Sequence, residues 1–484
     1  MHVETRHKTP TLRSRRILTG YQLLVIGLVV LSIVLGLAVP FLPELGQLML
    51  IAVIPATAVF ILILRNPYLG VFFFFLYSVL RPYDFLPFLR PMRLTMIIEI
   101  LTLASWVVSL VVARERIRWS WMHTMFLAFV GVIAVTVVTA WNNRFAFDTF
   151  QAMAIYFLMF LITSNVVKSV GRIQQLVWLI LGIHVFFALK GIMTFVTGQH
   201  YIATTGQYTS GEVGGGFIGD ENDFAMAINM MVPFAFFGFF YLKGKAKFFS
   251  GIMLVTYVLA VISSFSRGGW VGLAAVITYG MFNVRKKLAV FGVILLLGTT
   301  AAIFAPAQYW DEVSSVTDTS ESTASARLRY WDAGVRMFFD RPIIGVGASN
   351  GGIHMPAYVR GFRDANTQWG RAFHGTWIQV LAELGIIGSI IYLIMIVIVF
   401  RWVYRIRRLK VPGDTDNLSY YLATSIIGSL IGYFVTATFL STAYYPQLWT
   451  MYMLAMALVF VVDRAVSDQP EQIQQNPVTS EQAP

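Results

Sequence analysis

His374 and Arg267 are the two residues whose types and settings are best suited to chemistry in this chain. His374 stands where a long polar segment, residues 306 to 374, meets the apolar run HGTWIQVLAELG. An imidazole exchanges a proton near neutral pH without any shift of its ordinary pKa, so a histidine at such a boundary is a candidate general base. Arg267, in SSFSRGGW (263 to 270), lies between two apolar stretches. A guanidinium at mid-bilayer costs about 2.5 to 3.5 kcal/mol on insertion scales, so it requires the interface or an anionic partner. Its planar fork donates two parallel hydrogen bonds to phosphate or carboxylate, whereas lysine acts as a point charge. The pair suits a phosphorylated or acidic ligand. Structural roles compete with this: a boundary histidine and an interfacial arginine anchor.

The elements that must position these residues are membrane spans. Of 484 residues, 57% are hydrophobic and only 12% charged, with a mean hydropathy of +0.69. Soluble domains carry about 25% charged residues, and single soluble cores stop growing at about 250 to 300 residues. A span needs about 20 apolar residues. That rule gives about 12 to 14 transmembrane helices, near 21–39, 46–64, 68–80, 94–113, 121–140, 150–166, 173–197, 223–242, 248–263, 269–283, 288–305, 375–399, 418–440 and 447–462. The fold expected is an all-α polytopic membrane protein with one large external loop. Its regions are a basic N-terminus (1–20), spans (21–305) with an external loop at 198–222, the large loop (306–374), C-terminal spans (375–462) and a polar tail (463–484).

Charge orients the spans. The apolar stretch after Arg15 and Arg16 has no clear small-residue cleavage site, so it reads as a retained anchor with the N-terminus cytoplasmic. With fourteen alternating spans, every strongly basic connector falls on the cytoplasmic side, as the positive-inside rule requires, and both termini are cytoplasmic. Twelve basic residues remain outside and all are arginines: Arg81, Arg90, Arg93, Arg144, Arg267 and seven between 306 and 374. Those seven include Arg327, Arg329 and Arg371. The same loop holds seven Asp and Glu, so ion pairing within it is the competing explanation.

Other chemistries lose support. The absence of cysteine removes disulfides and thiolate sites. The glycines at 214–216 and 219 are not followed by GKT or GKS, so they form no nucleotide P-loop, although Asp220, Asn222 or Asp223 is placed to cap the next helix. No G-x-S-x-G elbow surrounds Ser266. Asp414 and Asp416 fall on the cytoplasmic side as a solvated turn, and His354 and His374 lack zinc-ligand spacing, so no metal and no cofactor are expected. The aromatics belong to spans and interfacial belts, and no nucleic acid partner is indicated. Glu383 lies nine residues beyond His374, half a helical revolution away and about 13 Å deeper. Like Glu99, it demands a partner inside the membrane, for which Lys190 or an external arginine is available.

Four elements carry a resemblance: Gly219-Asp220-Glu221-Asn222-Asp223-Phe224-Ala225; Ser266-Arg267-Gly268-Gly269; Arg327-Leu328-Arg329-Tyr330-Trp331 with Asp340-Arg341-Pro342-Ile343-Ile344-Gly345-Val346-Gly347; and His374-Gly375-Thr376-Trp377 through Glu383-Leu384-Gly385. In this order, on one face and with one long loop before the histidine, they resemble the O-antigen ligase and Wzy-type polysaccharide polymerase family. The family usually has an Asn-Pro-Asn-like run where this chain has Asp220-Glu221-Asn222. The resemblance implies a polytopic fold of the glycosyltransferase C class in the bacterial inner membrane, with a periplasmic active site. It implies inverting transfer of a glycan from undecaprenyl diphosphate to an acceptor such as lipid A core. His374 would then take the acceptor proton and Arg267 the diphosphate, with Arg327, Asn222, Arg329 and Arg371 as diphosphate or glycan contacts. A polysaccharide polymerase and a protein O-glycosylation ligase share these elements. A lipid-linked solute transporter or flippase is the rival from another class.

Overall fold

The computed structural model describes residues 56–197, 201–202, 207–208, 220–284, 322–414 and 416–467, with positions 287, 292 and 299. The spans expected at 21–39 and 288–305, most of 46–64, the glycines of the 198–222 loop and the tail beyond 467 lie outside the described residues. The chain forms two compact units, Met1–Asn66 and Pro67–Pro484. In the first, α1 (Ala56–Arg65) is the described part.

The second unit is helical apart from a two-residue antiparallel ladder of β1 (Tyr201–Ile202) and β2 (Gln207–Tyr208). Its helices are α2 (Pro67–Leu80), α3 (Leu94–Ala113), α4 (Trp121–Thr139), α5 (Asn143–Val166), α6 (Val170–Thr197), α7 (Glu221–Tyr241), α8 (Gly244–Ile262), α9 (Arg267–Asn283), α10 (Ser322–Asp340), α11 (Gly351–Tyr358), α12 (Thr376–Ile406), α13 (Leu418–Ala437) and α14 (Pro446–Ser467). Nine of the described helices, namely α3 to α8 and α12 to α14, are long and apolar enough to span a membrane. The protein is a polytopic, all-helical membrane protein. The run 248–283 forms two helices, α8 and α9.

At the centre stands α7, where apolar residues surround the helix instead of forming one stripe, the pattern of a helix buried on all sides. It meets α9 and α13 at glycines. A Cβ on Gly269 would sit 2.4 Å from the Ala225 Cβ, and one on Gly272 would sit 2.1 Å from the Thr436 Oγ1. Small residues at such crossings allow backbones to approach and gain the dispersion contacts that hold helices together in lipid. Inside the same crossing, the buried Asn229 side chain donates to the Gly269 carbonyl at 2.8 Å.

The described part of the long segment before His374, from residue 322, is itself folded. Its helices α10 and α11 and part of α12 enclose a small separate core containing Tyr330, Met337, Met355 and Phe373. This satellite is attached to the membrane helices through a break in α12 at Gly385, whose φ of 62° leaves the helical region. Residues 342–347 run along that break: the Val346 and Gly347 amides donate to the Ala382 and Glu383 carbonyls at 2.9 and 3.0 Å, and the Ile386 amide donates to the Pro342 carbonyl at 2.8 Å. At Gly345, with φ of 71°, a Cβ would lie 2.4 Å from the Glu383 backbone, so only glycine fits there.

Candidate active site at the helix ends

His374 occupies the residue before the α12 N-cap, with φ of 52°. This left-handed conformation is uncommon outside glycine and is held from two directions. Its amide donates to the Ser441 Oγ at 3.0 Å, and its carbonyl accepts from the Trp331 Nε1 at 3.1 Å. One bond comes from the α13–α14 connector and the other from α10. Buried Thr376 adds a second tie to the connector by donating to the Leu440 carbonyl at 2.7 Å. The His374 backbone is therefore held by three elements that meet only in the folded chain.

Charged groups converge on it. Burial holds the His374 pKa below its ordinary value, Arg327 lowers it further, Asp220 opposes by raising it, and Arg371 lowers it. The ring is thus neutral at pH 7, the state in which a nitrogen lone pair accepts a proton. Arg327 also acts on Glu221, so its charge reaches both the histidine and the first turn of α7. That turn is capped by Asp220, whose Oδ1 accepts from the Asn222 and Asp223 amides at 2.7 and 3.1 Å, as the sequence led us to expect.

Asn222 joins this turn to α9. Its Oδ1 accepts from the Ser266 Oγ at 2.7 Å, while Ser266 in turn accepts from the Gly269 amide and caps α9. Arg267 is the first residue of α9. Its neighbour Gly268 packs against Phe439, two positions before the Ser441 that holds His374. The fold therefore gathers Arg267, Asn222, Arg327, Arg371 and His374 at one end of the bundle. Arg329 is engaged within the satellite: it donates to the Gly361 carbonyl, and its guanidinium lies 5.0 Å from the centre of the Phe362 ring.

Beside the histidine opens a cleft of about 630 Å³, lined by Asp148, Arg371, Gln379, Glu383, Ser441 and Tyr445 among others. Glu383 is paired differently from the sequence expectation. Its carboxylate accepts from the Ser349 and Gly351 amides, each at 3.1 Å, and from the Gln379 side chain at 3.4 Å, with no lysine or arginine as partner among the described residues. Lys190 instead stands over the Phe85 ring at 5.1 Å. Glu383 is thus an anchor that fastens residues 349–351 to α12, because two backbone donors at close range satisfy a buried carboxylate as a cation would.

Residues 252–393 match the family model described as O-antigen ligase. The resemblance read from the sequence holds over that segment. Arg267, Arg327, Arg329, Arg371 and His374 fall inside the O-antigen ligase match, while Asp220 and Asn222 precede it. No match among curated proteins accompanies it. The match supports a ligase- or polymerase-type function acting on a lipid-linked glycan and a glycan acceptor. Ser441, Tyr444 and Tyr445 escaped the sequence reading. Their signal was the polar STAYYPQ run between two apolar spans, which marks a connector on the His374 side.

Proposed function

We propose that this protein is an O-antigen ligase that transfers a glycan from undecaprenyl diphosphate to lipid A core at the periplasmic face of the bacterial inner membrane. The observation that carries this reading is a half-buried, neutral His374 held near Arg327 and Arg371 at the helix ends, adjoining a cleft that its neighbours Phe373 and Ser441 line. In a single displacement, an acceptor hydroxyl attacks the anomeric carbon and gives its proton to the His374 imidazole. The new carbon–oxygen bond forms as the bond to the carrier breaks, and the departing diphosphate takes the electron pair. Inversion at that carbon follows. Arg267, with Arg327 and Arg371, stabilises the charge that develops on the leaving group; preorganised cations of this kind are often the largest catalytic contribution. No metal and no cofactor enter this scheme, so the activity should withstand EDTA.

The separation of charge between the two ends supports a periplasmic site. At the end away from His374 cations pair across elements, Lys243 of the α7–α8 connector with Asp416 of the α12–α13 connector and Arg405 of α12 with Asp463 of α14. The positive-inside rule makes that end cytoplasmic. The test is a gel profile of surface glycans from a deletion strain complemented with wild type or His374→Ala at matched abundance. Loss of polymer from lipid A core with carrier-linked polymer accumulating is the expected result. Core bearing one repeat unit would establish a polymerase, and an unchanged profile would overturn both in favour of protein glycosylation or transport.

A further inference from the structure

The region between α2, α3 and α5 contains polar groups that the transfer scheme does not use. Glu99, one and a half turns into α3, is only 4% exposed, and its Oε1 has no hydrogen-bond partner. It lines a cavity of about 340 Å³ with Arg93, Gln151, Tyr83 and Tyr156. This cavity shares Tyr83 and Arg93 with a neighbouring one of about 390 Å³, into which Tyr77 brings a buried hydroxyl that also lacks a partner. It shares Ala152 with the cleft beside His374. Both volumes fall within the range of small-molecule sites, about 300 to 1,000 Å³.

Buried polar atoms in proteins are almost always hydrogen-bonded, and a membrane interior raises the cost of leaving them bare. Two such atoms facing joined cavities therefore mark a place for a polar guest. A phosphate is disfavoured by the Glu99 carboxylate, and an isoprenoid would leave every polar atom unmet. A ring bearing several hydroxyls satisfies the carboxylate as donor, accepts from Arg93 and Gln151, and rests its apolar face on Tyr83 or Tyr156. We infer that the Glu99 cavity is a saccharide subsite that extends the His374 cleft and binds one sugar unit of a substrate glycan. This rests on the proposed glycan transfer for the identity of the glycan, but its binding is measurable without transfer.

The test uses the full-length protein in nanodiscs and saturation-transfer NMR with two soluble probes from the source cell. One is the repeat-unit oligosaccharide freed from its lipid carrier by mild acid, and the other is core oligosaccharide freed from lipid A. One probe should bind the wild type, and its affinity should fall at least tenfold in Glu99→Leu and by less in Glu99→Gln. Binding of the first probe assigns the subsite to the donor, and of the second to the acceptor. The thermal midpoint of Glu99→Leu should hold or rise, because the substitution removes a buried carboxylate oxygen without a partner. His374→Ala should retain the binding. If neither probe binds saturably, or Glu99→Leu binds as well as wild type, the subsite is wrong and the transfer reading stands. Probe binding that depends on Glu99, in a wild-type protein that transfers no glycan, would sink the transfer reading and leave the subsite intact. A lowered midpoint in both variants with binding preserved would make Glu99 structural and overturn the inference.

Discussion

The two ends of the helix bundle hold their charges in opposite ways. At one end, Lys243 meets Asp416 at 3.0 Å with both side chains more than two-thirds exposed, and an exposed Arg405 meets a half-buried Asp463 at 2.8 Å. At the other, half-buried His374 feels Arg327, Asp220 and Arg371, with its backbone pinned by Ser441 and Trp331. Exposed pairs are screened by water and salt and contribute little, whereas a desolvated group feels its charged neighbours strongly. On the proposed function, the contrast separates charges that orient the protein from charges that act on a bound ligand.

The sharpest way to break this contrast is through His374 and Arg267. At matched abundance, His374→Ala should reduce transfer by about 10² to 10⁴-fold, the range for loss of general base catalysis. Arg267→Ala should be comparably severe, and Arg267→Lys should rescue poorly because a point charge does not replace a bidentate fork. Quantitation of polymer on acceptor, alongside immunoblotting of membranes, reads both. Full rescue by lysine would defeat the fork argument, and loss of the protein itself would make these residues structural.

The next effect concerns the framework beneath the site. Gly272→Val should lower the thermal midpoint and membrane abundance, since a Cβ would collide with Thr436 and press on the Asn229 side chain at 2.8 Å. Overpacking of this kind costs about 1 to 3 kcal/mol. Glu383→Ala should act similarly by leaving the Ser349 and Gly351 amides without their acceptor, at about 1 to 3 kcal/mol for each buried donor. Detergent-solubilised melting curves check both. An unchanged midpoint for Glu383→Ala would mean that the satellite is held to α12 by the 342–347 backbone pairing alone.

These framework interactions also show where sequence reading succeeds and where it stops. Hydropathy was enough to place α3 to α8 and α12 to α14, because a span is defined by its own composition. The Asp220 cap was equally legible, since a cap bonds amides two and three residues away. The Glu383 partners were not, because Ser349 and Gly351 reach it only after residues 342–347 fold along a break that a single glycine permits. For the same reason, His374 could be picked out as a histidine at a boundary, but its left-handed backbone and its Ser441 tie depend on a connector 67 residues away.

A subtler prediction separates the neighbours of His374 by sign. The histidine must be neutral to accept a proton, so activity should fall as pH drops through its depressed pKa and hold on the alkaline side of it. Asp220→Asn keeps a helix-capping side chain but removes a charge that raises that pKa, so the acid limb should move to lower pH. Arg371→Gln removes a charge that lowers it, so the limb should move to higher pH. Opposite shifts in the pH–rate profiles support the electrostatic arrangement; shifts in the same direction, or none, would show that His374 does not govern the limb.

The smallest effect belongs to the other end. Lys243→Ala removes one partner of an ion pair in which both side chains remain largely solvated, so the Coulomb attraction it loses was already weakened by water. The thermal midpoint should move by no more than about 1 °C, and less still in 0.5 M salt, with glycan transfer unchanged. Topology is the property on which this lysine can act, yet Lys245 and Lys247 remain in the first turn of α8 to maintain the proposed orientation. Protease protection in spheroplasts should therefore match wild type for Lys243→Ala, whereas replacing all three lysines with glutamate should weaken the orientation of α7 and α8. If the single substitution alone disrupted transfer as strongly as His374→Ala, the division between orienting and acting charges would fail, because an exposed pair at the far end would then be coupled to the site.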